Sequence, residues 1–386
     1  MRLKQVLAVL SAALVVSLLA MPTQAQKEDL EKHNPYVQAM PMAHNLEEFL
    51  GNSDRPILIL LPPEALPTDL GAGGFVAVGS FFSGGGFYWT PLTGVVDIGG
   101  RAAVSISEDG RTIVGDALDA KGQKNAAIWL KDKEWRVLGS FSAQAQPCDT
   151  LLSSAYDVND NGRVVVGLGW DGCDGHAFRW QEVTGVVDFG TLVPDRSSRA
   201  NGVSGDGLVV VGWNEAPTGF RMGAKWVGSI EEILFGPHGV VGEARAANSD
   251  GSIIIGQGCN PADTTVSSAW VWKAETGFQC YPVKREQPSG TFYQTLMLAL
   301  SEDGRVIGGA SSFGLDSDAV LWLDGQPHFL KDYLRDNGID DAFRSWVNTG
   351  FITAVSPDGR VIAGYGAGPE TFQGYIVTLP PLGPHP

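Results

Sequence analysis

One stretch of this chain has the residue types and spacing of a cation loop. Asp157-Val-Asn159-Asp-Asn161-Gly162 sets oxygen donors at alternate positions and a glycine at the sixth, the first half of a calcium-binding loop. Such a loop needs a bidentate carboxylate at its twelfth position, and Leu168 stands there. The segment therefore reads as a turn, with calcium at Asp157, Asn159 and Asn161 as the one cofactor candidate. Two acid pairs, Glu231-Glu232 and Asp340-Asp341, have the residue type for glycoside chemistry. That chemistry depends on carboxylate separation, which sequence does not set, so both pairs read as solvated loop charge. The sequence has no Gly-x-Ser-x-Gly elbow, His-Glu-x-x-His pair or phosphate-binding glycine loop. Of the six histidines, His176 suits a structural hydrogen bond, while His33, His44 and His385 fall in terminal segments and His238 and His328 in or beside inserts.

The elements that would position any site announce themselves by repetition. Six turns recur: Ser107-Glu-Asp-Gly110, Asn159-Asp-Asn-Gly162, Ser204-Gly-Asp-Gly207, Asn248-Ser-Asp-Gly251, Ser301-Glu-Asp-Gly304 and Ser356-Pro-Asp-Gly359. A degenerate seventh lies at Gly71-Ala-Gly-Gly74. Each is followed by mostly apolar residues and a second glycine, at Gly79, Gly115, Gly167, Gly212, Gly256, Gly309 and Gly364. The pattern suits a type I turn closed by a left-handed glycine, with Pro357 at the position where its fixed φ fits. It is similar to the Asp-box turn of sialidases, but a β-branched strand follows here where that motif runs to a Trp. The turn acids are thus expected to bond local backbone N–H groups.

Runs such as Val164-Val-Val166 and Ile253-Ile-Ile255 are apolar at every position, as in strands buried on both faces. A third strand carries Trp89, Trp129, Trp180, Trp226, Trp272 or Trp322, with Val377 in the last unit. A fourth is suggested by Gly94–Ile98, Gly185–Phe189 and Ile230–Leu234. Four antiparallel strands repeated seven times predict an all-β, seven-bladed β-propeller over 56–386. The last unit runs out after its third strand, and the spare strand Ile57-Leu-Ile-Leu-Leu61 is expected to latch onto it and remove two open edges. Phe329 to Gly338 predicts a helix between the last two blades, with a second helical turn over Ile339–Trp346.

Residues 1–25 read as a signal peptide, with Arg2 and Lys4 before an apolar run and a small-residue exit at Ala25. Residues 26–55 read as a polar tether. Losing Arg2 and Lys4 takes the formal charge from −16 to −18, which disfavours nucleic acid and anionic membranes. No other segment is long and apolar enough to span a bilayer, so the mature chain is expected to be exported, periplasmic or extracellular, and monomeric. Cys148, Cys173, Cys259 and Cys280 make an even set in such a compartment, and three pairings are open. Local pairing, 148 with 173 and 259 with 280, keeps each bridge within or next to one repeat.

Asp174-Gly-His-Ala-Phe-Arg-Trp180 and Ala200-Asn-Gly-Val-Ser-Gly-Asp-Gly-Leu-Val-Val-Val-Gly212 resemble the HAF extracellular repeat family, as does Ala354–Gly366 near the C-terminus. The full His-Ala-Phe triplet occurs only at His176-Ala177-Phe178. The resemblance implies an exported bacterial repeat protein without an established activity, and it supplies no catalytic residues. The function expected from sequence is therefore a non-enzymatic propeller presenting unequal inserts (139–153, 257–268, 281–295, 326–350) to a protein or glycan, or an envelope scaffold. The rival is a polysaccharide hydrolase or lyase with carboxylates at the channel mouth, which a convergent acid cluster with shifted pKa values would favour.

Overall fold

The computed structural model describes residues 55–130, 134–141, 151–259, 267–283, 294–313 and 316–384. The segments expected to be signal peptide and tether, apart from Arg55, lie outside the described residues, as do Cys148 and parts of three inserts. Seven four-stranded antiparallel sheets follow one another around a ring. Blades 1 to 6 span 65–99, 102–137, 153–188, 198–233, 244–281 and 294–329, each with its strands in sequence order. Blade 7 takes three strands from 348–378 and its fourth from Ile57–Pro63, which pairs with Phe372–Thr378 in the register Ile57↔Thr378 to Leu60↔Tyr375. The expected latch therefore closes the ring. Gln373 reinforces it by donating from Nε2 to the Leu61 carbonyl at 2.7 Å.

Both glycines of the repeat have a physical cause. The turn glycines are left-handed, for example Gly110 at φ 68° and Gly207 at φ 77°. In four of the turns the Asp carboxylate accepts from the backbone N–H two residues on and from the Ser at the head of the turn, as Asp109 does from Arg111 and Ser107. The second glycine answers a β-bulge. In every blade the first strand slips register by one residue beside it, as between Ala103 and Ser105 opposite Gly115. The bulge presses a carbonyl onto the glycine, so a Cβ on Gly115 would lie 2.0 Å from the Ala102 oxygen, and one on Gly212 1.9 Å from that of Arg199.

The tryptophans occupy one register position on the third strand, Trp129 facing Ile113, Trp226 facing Val210 and Trp322 facing Ile307. Helix α1 (Leu330–Asp336) forms where expected and buries Leu330 and Leu334 beside Tyr375 and Val377 of blade 7. The segment after it differs from expectation. Ile339–Trp346 is a run of turns rather than helix, held because Phe343 and Trp346 are drawn into the same apolar cluster. Cys259 and Cys280 form a disulfide within blade 5, as local pairing expects, and Cys173 is also disulfide-bonded.

Candidate functional site

The first strand of every blade lines the central channel, a cavity of about 940 Å³. Its side chains project where the bulge turns them inward. The bulged residues are Thr68, Val104, Tyr156, Asn201, Arg245, Leu298 and Thr353, seven equivalent positions each three residues before a repeat turn. One residue before the glycine-paired position stand Leu66, Ala102, Ser154, Arg199, Glu243, Leu296 and Phe351. The two rings divide the wall. Blades 6, 7, 1 and 2 offer mostly aliphatic and aromatic side chains, whereas blades 3 to 5 offer Tyr156, Arg199, Asn201 and Arg245, with Glu243 buried beside them.

The polar side is built around one carboxylate. Glu243 is buried, accepts hydrogen bonds from Arg221 Nη1 at 2.7 Å and Arg199 Nη2 at 3.2 Å, and forms an ion pair with Arg245 Nη2 at 3.1 Å. Burial alone would raise its pKa, but Arg245, Arg199 and Arg221 together outweigh that and hold it at about 2. Trp213 lies between two of the guanidiniums, its ring 4.4 Å from Arg221 and 5.3 Å from Arg199, and Arg199 also lies over Tyr156 at 5.1 Å.

Nearer the repeat turns, the channel holds a second and opposite cluster. Ser105 Oγ is 2.7 Å from Asp69 Oδ2 and 2.8 Å from Asp157 Oδ1, so one hydroxyl bridges two carboxyls. A single hydroxyl proton serves only one of them, and a proton on the other carboxyl completes the bridge. Burial raises Asp69 to about 6, and burial together with the Asp69 charge raises Asp157 to about 7. The remaining valences tie the ring together. Asp69 accepts from the N–H groups of Leu70 and Ile106, and Asp157 from those of Val158 and Val203, which joins blades 1 to 4. At the mouth beyond them Glu108, Asp160 and Glu302 project from the second position of three turns. Desolvation raises the pKa of Glu108 and Asp160.

The residues singled out from sequence fare unequally. Asp157 does face the channel, but Asn159 Oδ1 turns back to accept from the N–H groups of Arg163 and Val164, and Asn161 Oδ1 also bonds Arg163 N–H. The three donors therefore do not converge. Among the described residues no group of three or more His, Cys, Asp or Glu is placed to hold a metal ion. Glu231 and Glu232 separate on the outer strand of blade 4, one bonded by Asn214 and the other by Lys225, and Asp341 pairs with Arg344. His176 hydrogen-bonds Asp188 at 2.9 Å, the structural role expected of it. Sequence reasoning missed Asp69, Ser105, Tyr156, Arg199, Glu243 and Arg245. Part of the signal was available: repeats aligned on their turns vary at the third and fifth residues before each turn, which marks Tyr156, Arg245, Arg199 and Glu243 but not Asp69 or Ser105.

The fold and its lined channel define a seven-bladed propeller. Two solved structures share that architecture at low identity. An oligogalacturonate lyase in complex with manganese aligns with a TM-score of 0.52 and 12% identity, over 85% of this chain and 98% of that one. The β-propeller domain of the Trilobed protease from Pyrococcus furiosus, described as having an open velcro topology, aligns with a TM-score of 0.51 and 12% identity, over 81% and 95%. At that identity the likeness shows the fold alone. No protein-family model and no curated protein matches the chain. Among the described residues no helix is long and apolar enough to cross a membrane.

Proposed function

We propose that the protein is an exported, non-enzymatic binding propeller of the HAF repeat type that takes a glycan or protein segment into its channel. One observation carries the reading. The repeat is constant where it folds, at the turn and the bulge glycine, and different in every blade but two at the bulged residue that faces the lumen, running from Thr68 through Tyr156 and Arg245 to Leu298. A purely structural channel has no need of that variety, and a channel that recognises an asymmetric ligand does. Aromatic side chains at the lumen (Phe81, Tyr156, Trp170, Phe351, Tyr365) suit a sugar ring or an apolar side chain.

The enzyme reading keeps one specific support, the Asp69–Ser105–Asp157 cluster with its raised pKa values. Against it, every one of the four carboxyl oxygens already accepts a hydrogen bond from a backbone N–H. A carboxyl held in that way is committed to tying blades together. A glycan and secreted-protein array, run on the mature chain with and without chelator, tests the proposal. Binding should survive the chelator and weaken in Tyr156→Ala and Leu298→Ala. Turnover of a bound glycan would give the channel to the enzyme reading, and chelator-sensitive binding would put a cation at the Asp157 loop.

A further inference from the structure

The charge on the wall of blades 3 to 5 does not balance. Arg199, Arg221 and Arg245 surround Glu243 alone, three positive charges against one. The side chains of Arg199 and Glu243 are 6% and 4% exposed, and that of Arg245 is 17% exposed. Among the described residues Glu243 is the acid that acts most strongly on Arg245, and Glu215 stands opposite Arg221 on the neighbouring strand, at the exposed end of the cluster. Burial pulls the Arg245 pKa down, Glu243 resists, and the two other guanidiniums add to the pull. Burying an ion pair is already costly, and burying a second arginine without a counterion costs more, while Arg221, 37% exposed, is held partly by solvent. An interblade clamp between blades 4 and 5 would need one arginine for the one glutamate. The excess calls for an anion from outside.

The geometry leaves donors for it. Nε and Nη2 of Arg245 are taken by Gln257 Oε1 and Glu243, and Nε and Nη2 of Arg199 by Asn201 Oδ1 and Glu243. Nη1 of each has no hydrogen-bond partner among the described residues, and both side chains line the channel with Tyr156. The rest of the wall is uncharged at this level: Val104 and Leu298 in the flanking blades 2 and 6, Phe351 in blade 7, and Thr68 and Thr353, whose hydroxyls donate to backbone carbonyls, a lining that suits an uncharged body.

We propose that this wall is a binding site for the carboxylate of an organic ligand, held between the free ends of Arg199 and Arg245 while the ligand body lies against the apolar wall. The site rests on the reading of the channel as the binding surface and adds the charge class of what binds. A planar carboxylate matches the planar guanidinium fork, and the bond is charge-assisted. The body that carries it can be a sugar acid or an acyl chain, and the two sources separate by experiment.

The mature full-length chain is titrated calorimetrically with trigalacturonate, its neutral methyl ester, octanoate and octanol, at low and at high salt. At least one acid should bind about tenfold or more tighter than its neutral counterpart, with the advantage shrinking at high salt. The advantage should vanish in Arg245→Gln. Whichever acid wins identifies the body. If Arg245→Gln does not fold, the acid-to-neutral ratio and its salt dependence in the wild type decide alone. Equal binding of acid and neutral forms, or no binding of either acid, overturns the site. Equal binding that Tyr156→Ala weakens would leave the channel as the binding surface and remove only the anion. Acid binding untouched by both substitutions would remove both.

Discussion

Two carboxylate clusters, one buried at Glu243 and one half-buried at Asp69 and Asp157, share one channel and solve the same problem in opposite ways. Burial penalises Glu243, Asp69 and Asp157 alike. Glu243 has three guanidiniums within hydrogen-bond reach and stays ionised down to about pH 2. Asp69 and Asp157 have each other, Ser105 and four backbone N–H groups, with no cation bonded to either among the described residues, and keep a proton up to about pH 6 and 7. The difference teaches that the fold tolerates an acid beside the lumen when a counter-charge arrives, and that the counter-charge can be an arginine or a proton. One end of the channel is thereby cationic at all working pH values, while the other changes charge near neutrality.

The strongest way to break the comparison is Glu243→Gln. Removing the one anion leaves three guanidiniums facing each other, with Arg199 and Arg245 largely out of water. A loss of about 3–5 kcal/mol in unfolding free energy is expected, the cost of breaking a buried pair from one side. Chemical denaturation at pH 7 measures it. A variant as stable as the wild type would mean that channel water already solvates the arginines, and the contrast with the aspartates would dissolve.

The next effect is a slope rather than a midpoint. A folded carboxyl pKa raised above the unfolded value near 3.8 means the native state holds a proton that the unfolded chain has released. The contribution of Asp69 and Asp157 to stability is therefore whole below about pH 4, falls as pH rises towards 6 and 7, and levels off above. Glu243 works the other way, contributing above its unfolded value near 4.5 and losing that contribution as pH falls towards 2. Channel water screens the aspartates, so their loss between pH 4.5 and 7.5 is expected on the order of 2–3 kcal/mol. The double variant Asp69→Asn/Asp157→Asn should flatten this part of the pH profile, whatever its absolute stability. An unchanged slope would assign the pH dependence to the net acidic surface instead.

How far the sequence anticipated this channel follows from what repeats. Turn and bulge glycines recur because backbone geometry demands them in every blade, so blade number, strand order and the latch from Ile57 were legible. The helix at Leu330–Asp336 was legible from its spacing, but the turns after it were not, since Phe343 and Trp346 answer to a cluster formed by blade 7. The two channel clusters stayed hidden for a related reason. Asp69 and Asp157 lie 88 residues apart (157 − 69), and only the packing of blades 1, 2 and 3 side by side puts Ser105 between them. Asp157 did attract notice, as a calcium ligand, because a linear motif contains it. Its actual neighbours are in blades 1, 2 and 4, which no linear motif contains.

A finer probe of the aspartate side is Ser105→Ala. It removes the hydroxyl that lies within 2.8 Å of both carboxyls, which takes a donor from one and an acceptor from the other. A destabilisation of about 1–3 kcal/mol is expected, the range for stranding buried acceptors. Part of it should be recoverable at lower pH, where protonated carboxyls repel less. Stability lost equally at pH 5 and pH 8 would reduce Ser105 to a packing residue.

The smallest expected effect sharpens the arginine side. Arg221 makes the shortest contact to Glu243, 2.7 Å, yet its side chain is 37% exposed and its guanidinium stacks on Trp213 at 4.4 Å. Contact length argues for a large role and exposure for a small one. Solvent decides, because a guanidinium that is already hydrated gives up little when it leaves, and Glu243 keeps Arg199 and Arg245. Arg221→Gln is therefore expected to cost about 1 kcal/mol or less. It also lowers the local excess from two positive charges to one, so the same substitution should weaken carboxylate binding more than it weakens the fold. Trp213 fluorescence, calorimetry and denaturation on one variant separate the two. A loss of stability as large as that of Glu243→Gln would show that all three arginines act as one buried unit, and that the channel has no charge to spare for a ligand.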